Sequence, residues 1–157
     1  METQQAFMRE AIRIAMENAV SGRGGPFGCV VVKDGRIIAT GANEVTGTND
    51  PTAHAEVVAI RRACQALGSF QLEGCEVYCS CEPCPMCLGA LYWARPKAVY
   101  FAATKEDAAT IGFDDHFIYA ELERPITARE RPMQQLMRAE VLAAFEHWRT
   151  NPDKVPY

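Results

Sequence analysis

Two short segments constrain this chain more than anything else in it: Thr52-Ala53-His54-Ala55-Glu56 and Glu82-Pro83-Cys84-Pro85-Met86-Cys87. Each opens a stretch that reads as helix. Asn49-Asp50-Pro51-Thr52 is a helix-start signal, with Asp50 or Thr52 as cap and Pro51 tolerated in the first turn. The helix behind it carries Val57, Ile60, Cys64 and Leu67 on one face, and Gly68 stops it. Pro85 to Ala94 reads as a second helix, behind a short strand at Glu76 to Ser80. Both segments therefore sit where strands end and helices begin, at the carboxyl edge of a sheet, where α/β folds assemble their sites.

The remainder fits that frame. Residues 3 to 20 have apolar Phe7, Ala11, Ile14 and Ala15 at helical spacing, with Arg9, Glu10, Arg13 and Glu17 on the other side. Phe27 to Lys33 and Arg36 to Ala42 read as two strands joined by an Asp34-Gly35 hairpin turn. Lys97 to Ala102 reads as a further strand, 104 to 110 and 139 to 149 as helices, and Met133 to Met137 as a weak strand. Residues 111 to 132 carry little periodicity. Alternating strands and helices predict a sheet covered by helices. With 157 residues and no repeat or linker, the expectation is one domain, 1–157.

The residue types point to metal chemistry. Five of the seven cysteines lie between Cys75 and Cys87, a clustering that favours metal binding or thiol chemistry over disulfides. Cys84 and Cys87 are three apart, so on a helix they share a face, and a helix start favours their thiolates. With His54 they make three zinc ligands and leave a fourth corner for water, the arrangement of a catalytic rather than a structural site. Zinc brings such a water to a pKa of about 7, and Glu56 is placed to move its proton. Two other readings stand beside this one. Cys-x-x-Cys alone is also a redox pair, which would leave His54-Ala55-Glu56 unexplained. A closed four-cysteine site would recruit Cys79 or Cys81, and Cys81-x-x-Cys84 has the same spacing. Cys84 with Cys87 is preferred because the helix begins after Pro83, whereas Cys79 and Cys81 belong to the strand end.

Charge and composition limit the partners. Net charge is −4 and the 16 Lys and Arg are scattered, so nothing asks for a polyanion. A small neutral substrate suits this balance. No apolar run approaches the roughly 20 residues of a membrane span. The start, Met-Glu-Thr-Gln-Gln, is acidic and polar, unlike a signal peptide, and a cytoplasmic protein is expected.

At His-x-Glu and Pro-Cys-x-x-Cys the chain resembles the cytidine-deaminase-like zinc deaminases. Gly112-Phe113-Asp114-Asp115-His116-Phe117 and a terminal tyrosine are similar to the guanine deaminase branch of that superfamily. The resemblance runs from Gly24-Gly25-Pro26-Phe27-Gly28 to Tyr157. It implies a three-layer α/β/α fold with a five-stranded mixed sheet, assembled as a homodimer. It also implies hydrolysis of guanine to xanthine and ammonia, with Zn2+ held by His54, Cys84 and Cys87 and with Glu56 as proton shuttle. Asn43 would hydrogen-bond the purine, and Phe27 and Trp93 would pack on it. Ala55 would line the substrate site, and Asp115 would recognise the base and help protonate the leaving amine. Tyr157, in a segment 150–157, would close over the site, in the same chain or across the dimer.

Plainer roles exist for several of these residues. Phe27 and Trp93 suit core packing, Asn43 a turn, Asp115 a solvated acidic turn shared with Asp114, and Tyr157 a frayed end. His116 and His147 read as surface residues, and Cys29, Cys64 and Cys75 as core thiols. The metal motifs alone do not choose a base, so cytosine, an aminotriazine and tRNA adenosine are rival substrates. A zinc-stabilised interaction module without catalysis is the rival of a different class.

Overall fold

Every residue from Gly28 to Val32 is buried, which a strand achieves only when both of its faces are covered. The computed structural model, which describes residues 2–157, shows what covers them. Strands β1 (Gly28–Lys33) and β2 (Arg36–Ala42) form an antiparallel hairpin, with Asp34 and Gly35 both at positive φ in its turn. Strand β3 (Glu76–Cys81) lies antiparallel to β1, and β4 (Ala98–Ala103) parallel to β3, giving the order β2-β1-β3-β4.

Alternation along the strands divides the core in two. Val30, Val32 and Tyr78 meet Ala11 of α1 (Glu2–Val20), with Phe7, Met8 and Ile14 alongside. Cys29, Val31, Val77 and Cys79 face the other way, onto Ala55, Ala59 and Ala63 of α3 (Ala55–Leu67) and Leu91 and Ala94 of α4 (Pro85–Ala94). The three-layer α/β/α arrangement and the mixed sheet are as expected. The strand count is not: the described residues form a four-stranded sheet, not a five-stranded one. Residues 132 to 137 are irregular, so the strand expected at Met133 to Met137 is absent. A strand needs a ladder to satisfy its backbone, and the segment holding these residues contains no other strand.

Two further expectations are corrected. Helix α3 starts later than its cap signal implied: His54 is the N-cap, while Asp50 Oδ1 accepts the Thr52 amide at 2.8 Å in a turn of its own. A four-residue helix α2 (Val45–Thr48) precedes that turn. The innermost stripe of α3 is also not the large-residue face of Val57, Ile60, Cys64 and Leu67. Small Ala55, Ala59 and Ala63 are fully buried, and they let the helix settle directly onto Gly41 of β2.

The chain divides into two compact units, the first ending at Asp115 and the second covering His116–Tyr157. The first contains the sheet, and the short helix α5 (Lys105–Thr110) follows β4 within it. The second holds α6 (His116–Glu123), a 3-10 turn (Ile126–Ala128) and α7 (Arg138–Thr150), so the stretch 111 to 132 is partly helical. Glu121 ties this unit locally, accepting from Arg124 at 2.6 Å and from the Glu130 amide at 2.8 Å. Neither of its α-helices has a buried residue. No described helix is long and apolar enough to cross a membrane.

The hairpin and the parallel pair bring four chain segments to one edge of the sheet: Phe27 before β1, Asn43 after β2, Glu82 to Cys87 after β3, and Thr104 to Asp115 after β4. That edge depends on the seat of α3. A Cβ at Gly41 would overlap the Ala55 carbonyl and lie 2.6 Å from the Ala59 amide nitrogen. Gly41→Ala should therefore destabilise the fold by about 1–3 kcal/mol in a denaturant titration. Gly47→Ala, whose Cβ meets nothing nearer than 4.0 Å, should change stability by less than about 0.5 kcal/mol.

Candidate metal centre

Two helices begin at this edge, and each is capped by a candidate ligand: His54 at α3 and Cys84 at α4. Extended backbone at both caps, followed immediately by helix, turns the two side chains toward each other. His54 Nδ1 lies 3.5 Å from Cys84 Sγ and 3.6 Å from Cys87 Sγ, and all three donor atoms fall within 4.8 Å of one another. Tetrahedral zinc, with Zn–S about 2.3 Å and Zn–N about 2.0–2.1 Å, sets its sulfur and nitrogen ligands about 3.5 Å apart. The donor set fits that ion in both chemistry and spacing.

The register of the cysteines is resolved by the same geometry. Cys81 does not join the three; its thiol donates to the Thr104 carbonyl at 3.5 Å, and burial pushes it up to about 11. Cys79 faces Cys29 across the sheet, sulfur to sulfur at 3.9 Å. Cys84 is the ready thiolate: hydrogen bonds from Cys87 and His54 outweigh its burial and hold it down to about 4. Cys87 is driven upward by its bond to Cys84 and by burial. The His54 imidazole is raised, chiefly through its contact with Cys84.

Glu56 is the second residue of α3 and is only 8% exposed. Its Oε2 accepts from the Cys87 thiol at 3.5 Å, and burial raises its carboxyl above the ordinary range. A carboxyl so placed takes and releases protons nearer neutrality than a solvated one. Ala55, beside it, is buried in the helix start.

Around the donors stand the other residues singled out in the sequence. Asn43 is buried at the end of β2, its Oδ1 accepting the Val45 amide at 3.3 Å. Its backbone N–H donates to the Phe27 carbonyl at 3.2 Å, so the two expected substrate contacts are tied together. Phe27 is half-buried and meets Phe113 edge-on, ring centres 4.9 Å apart. Asp115 is half-buried, and its carboxyl is raised by desolvation and then by the charge of Cys84. Trp93 stands apart. Cys87, Leu91 and Ala94 define the inward face of α4, whereas Trp93 lies roughly 120° round the helix and is 64% exposed. Tyr157 belongs to the second unit and is exposed there, as is His147. Two residues with evident roles at this edge were not picked out from the sequence. Phe113 was visible only as part of a longer motif. Asn18, a poor helix former in the last turn of α1, is buried with its amide bonded to the Gly25 and Asn43 carbonyls.

The sequence matches the family model of the cytidine and deoxycytidylate deaminase zinc-binding region over residues 1–103. It is 56% identical over 153 residues to guanine deaminase of Bacillus subtilis, covering 98% of both chains. The X-ray structure of guanine deaminase from Bacillus subtilis superimposes with a TM-score of 0.95 over 98% of each chain. The tRNA-specific adenosine deaminase of Agrobacterium fabrum is 47% identical over 78 residues, half of this chain and 51% of its own.

The Phe27–Phe113 contact is testable in isolation. A double-mutant cycle with Phe27→Leu and Phe113→Leu should give a coupling of about 0.5–1.5 kcal/mol in unfolding free energy. Additive losses would mean that the two rings do not support each other.

Proposed function

The chain belongs to the cytidine and deoxycytidylate deaminase zinc-binding family, and on that premise we infer that it hydrolyses guanine to xanthine and ammonia. The observation that carries this reading is the 56% identity to a guanine deaminase across 98% of both chains. The tRNA-specific relative matches over only half of the chain, and the net charge of −4 favours a small neutral base over a polyanion.

His54, Cys84 and Cys87 hold the zinc ion in this reading. Zinc, when bound, supplies a Lewis acid that brings the pKa of water to about 7. Glu56 accepts the proton that water gives up as its oxygen bonds to C2 of the purine, and passes it to a ring nitrogen. Glu56 or Asp115 then takes the proton of the new C2 hydroxyl and gives it to the exocyclic nitrogen, so that the C2=O bond forms as the C2–N bond breaks and ammonia leaves. The raised carboxyls of Glu56 and Asp115 suit groups that must both take and give. Asn43 hydrogen-bonds the purine edge, Ala55 lines the floor of the site, and Phe27, braced by Phe113, packs on the ring. Such a buried amide rejects bases that leave it unpaired. The seven free thiols fit the reducing cytoplasm.

The active form is a homodimer with exchanged C-terminal segments. Phe117, Leu122, Phe145 and Trp148 of the second unit and Tyr92 and Trp93 of α4 are exposed in the single chain, apolar surface that a second copy would cover. Trp93 then belongs to surface covered by the second copy, and Tyr157 closes over the site of the other chain.

Ammonia release from guanine, measured beside zinc content, tests the chemistry. Glu56→Gln and Cys81→Ser should retain zinc and Cys84→Ser should lose it. Turnover should fall about 100- to 10,000-fold in Glu56→Gln. Unchanged turnover in that variant would leave only a zinc-stabilised module, and deamination of tRNA, cytosine or an aminotriazine but not of guanine would replace the substrate.

A complementation assay tests the exchange. Chains carrying Glu56→Gln and chains carrying Tyr157→Ala, each impaired alone, should regain turnover when refolded together, because exchanged tails rebuild one intact site per mixed dimer. No recovery would place Tyr157 in its own chain's site or outside any site.

A further inference from the structure

We propose that Asn18 is a positioning residue for substrate, a single buried amide that holds the Phe27 loop and Asn43 in register with each other. This rests on the reading of Phe27 and Asn43 as base contacts. Asn18 is 3% exposed, in the last turn of a helix whose neighbouring positions face solvent or apolar core. An amide is buried there at a cost unless it is hydrogen-bonded. Its Nδ2 donates to the Gly25 carbonyl at 2.8 Å and to the Asn43 carbonyl at 3.0 Å. Those acceptors lie on the two segments that carry the proposed contacts. Gly25 stands two residues before Phe27, and the Phe27 amide donates back to the Gly25 carbonyl at 2.8 Å. Asn43 donates its own amide to the Phe27 carbonyl at 3.2 Å, which closes the loop of bonds.

Packing reinforces the clamp. A Cβ at Gly24 would overlap the Asn43 carbonyl and lie 3.0 Å from Asn18 Nδ2, so the loop lies flat against both groups. At Gly25 a Cβ would meet the Phe27 ring at 3.1 Å and the Phe113 ring at 3.2 Å. The glycines permit the approach, and Asn18 fixes it. Both Asn18 bonds go to carbonyls on the segments of Phe27 and Asn43, so its effect should fall on substrate binding rather than on the chemical step.

The test uses Asn18→Asp, which turns oxygens toward two carbonyl oxygens, and Asn18→Leu, which removes the donors at similar volume. Loss of two ordinary hydrogen bonds corresponds to roughly a tenfold effect. In the full-length protein, KM for guanine should rise about tenfold while kcat stays within about threefold and zinc content is unchanged. Amide hydrogen exchange at Phe27 and Asn43 should quicken about tenfold, with that of Tyr78 in β3 unaltered. A wild-type KM, or exchange that quickens equally across the sheet, would overturn the proposal. Failure of both variants to fold with zinc would also overturn it, by making Asn18 a requirement of folding. If the wild-type chain does not deaminate guanine, the functional reading fails, while the exchange measurement still decides whether Asn18 is a clamp.

Discussion

The closeness of α3 to the sheet is the contact on which the rest of the molecule depends. Gly41 on β2 and Ala55, Ala59 and Ala63 on the helix leave no side-chain bulk between the two backbones. With larger residues the helix would ride higher, and its first turn would lift His54 and Glu56 away from α4. Seated as it is, α3 delivers an imidazole to within 3.6 Å of both sulfurs and buries a carboxyl beside one of them. The metal geometry is thus a consequence of small residues elsewhere in the core, and the chemistry inherits its accuracy from packing.

Burial does two jobs at that centre. It desolvates Glu56 and so raises its carboxyl, and it packs Cys29, Cys79 and Cys81 around the reactive group as neutral thiols. Cys29, Cys79 and Cys81 therefore have a reason to be cysteine: they are small, apolar and buried. Hydrogen bonds from Cys87 and His54 work in the opposite sense, favouring the thiolate at Cys84. The same sheet edge thereby holds a sulfur that favours its thiolate and a carboxyl of raised proton affinity.

Much of this was legible in the sequence, and the unread parts share a physical cause. Pro85 marked the start of α4 because its ring fixes the first helical φ, and Asp34-Gly35 marked the hairpin because both residues accept positive φ. His54, Cys84 and Cys87 were legible because metal chemistry demands particular atoms at particular spacings. The buried stripe of α3 was misread because periodicity weighs large side chains, whereas close helix–sheet packing selects small ones. The start of α3 was misplaced because Asp50 used its carboxylate on a local turn, an alternative that short polar side chains always offer the backbone. Asn18 and Phe113 act through partners distant in sequence, and no local pattern records such a partner. The fifth strand came from resemblance and not from residues 133 to 137, whose own character is too weak to hold a strand without a neighbour.

The division of the chain bears on how one metal centre serves different bases. The family-wide match covers residues 1–103, which contain the whole donor set, Glu56, Phe27 and Asn43. Identity to the guanine deaminase extends over 98% of both chains, whereas the match to the Agrobacterium fabrum tRNA-specific relative spans 78 residues. Phe113, Asp115 and Tyr157 lie beyond that family-wide match. Recognition of one base requires groups that meet its particular edge, and a carboxyl or phenol supplied from outside the sheet can change without disturbing the packing that holds the metal ligands. A donor set fixed in the core and variable side chains carried after it is the arrangement this architecture permits at least cost to its fold.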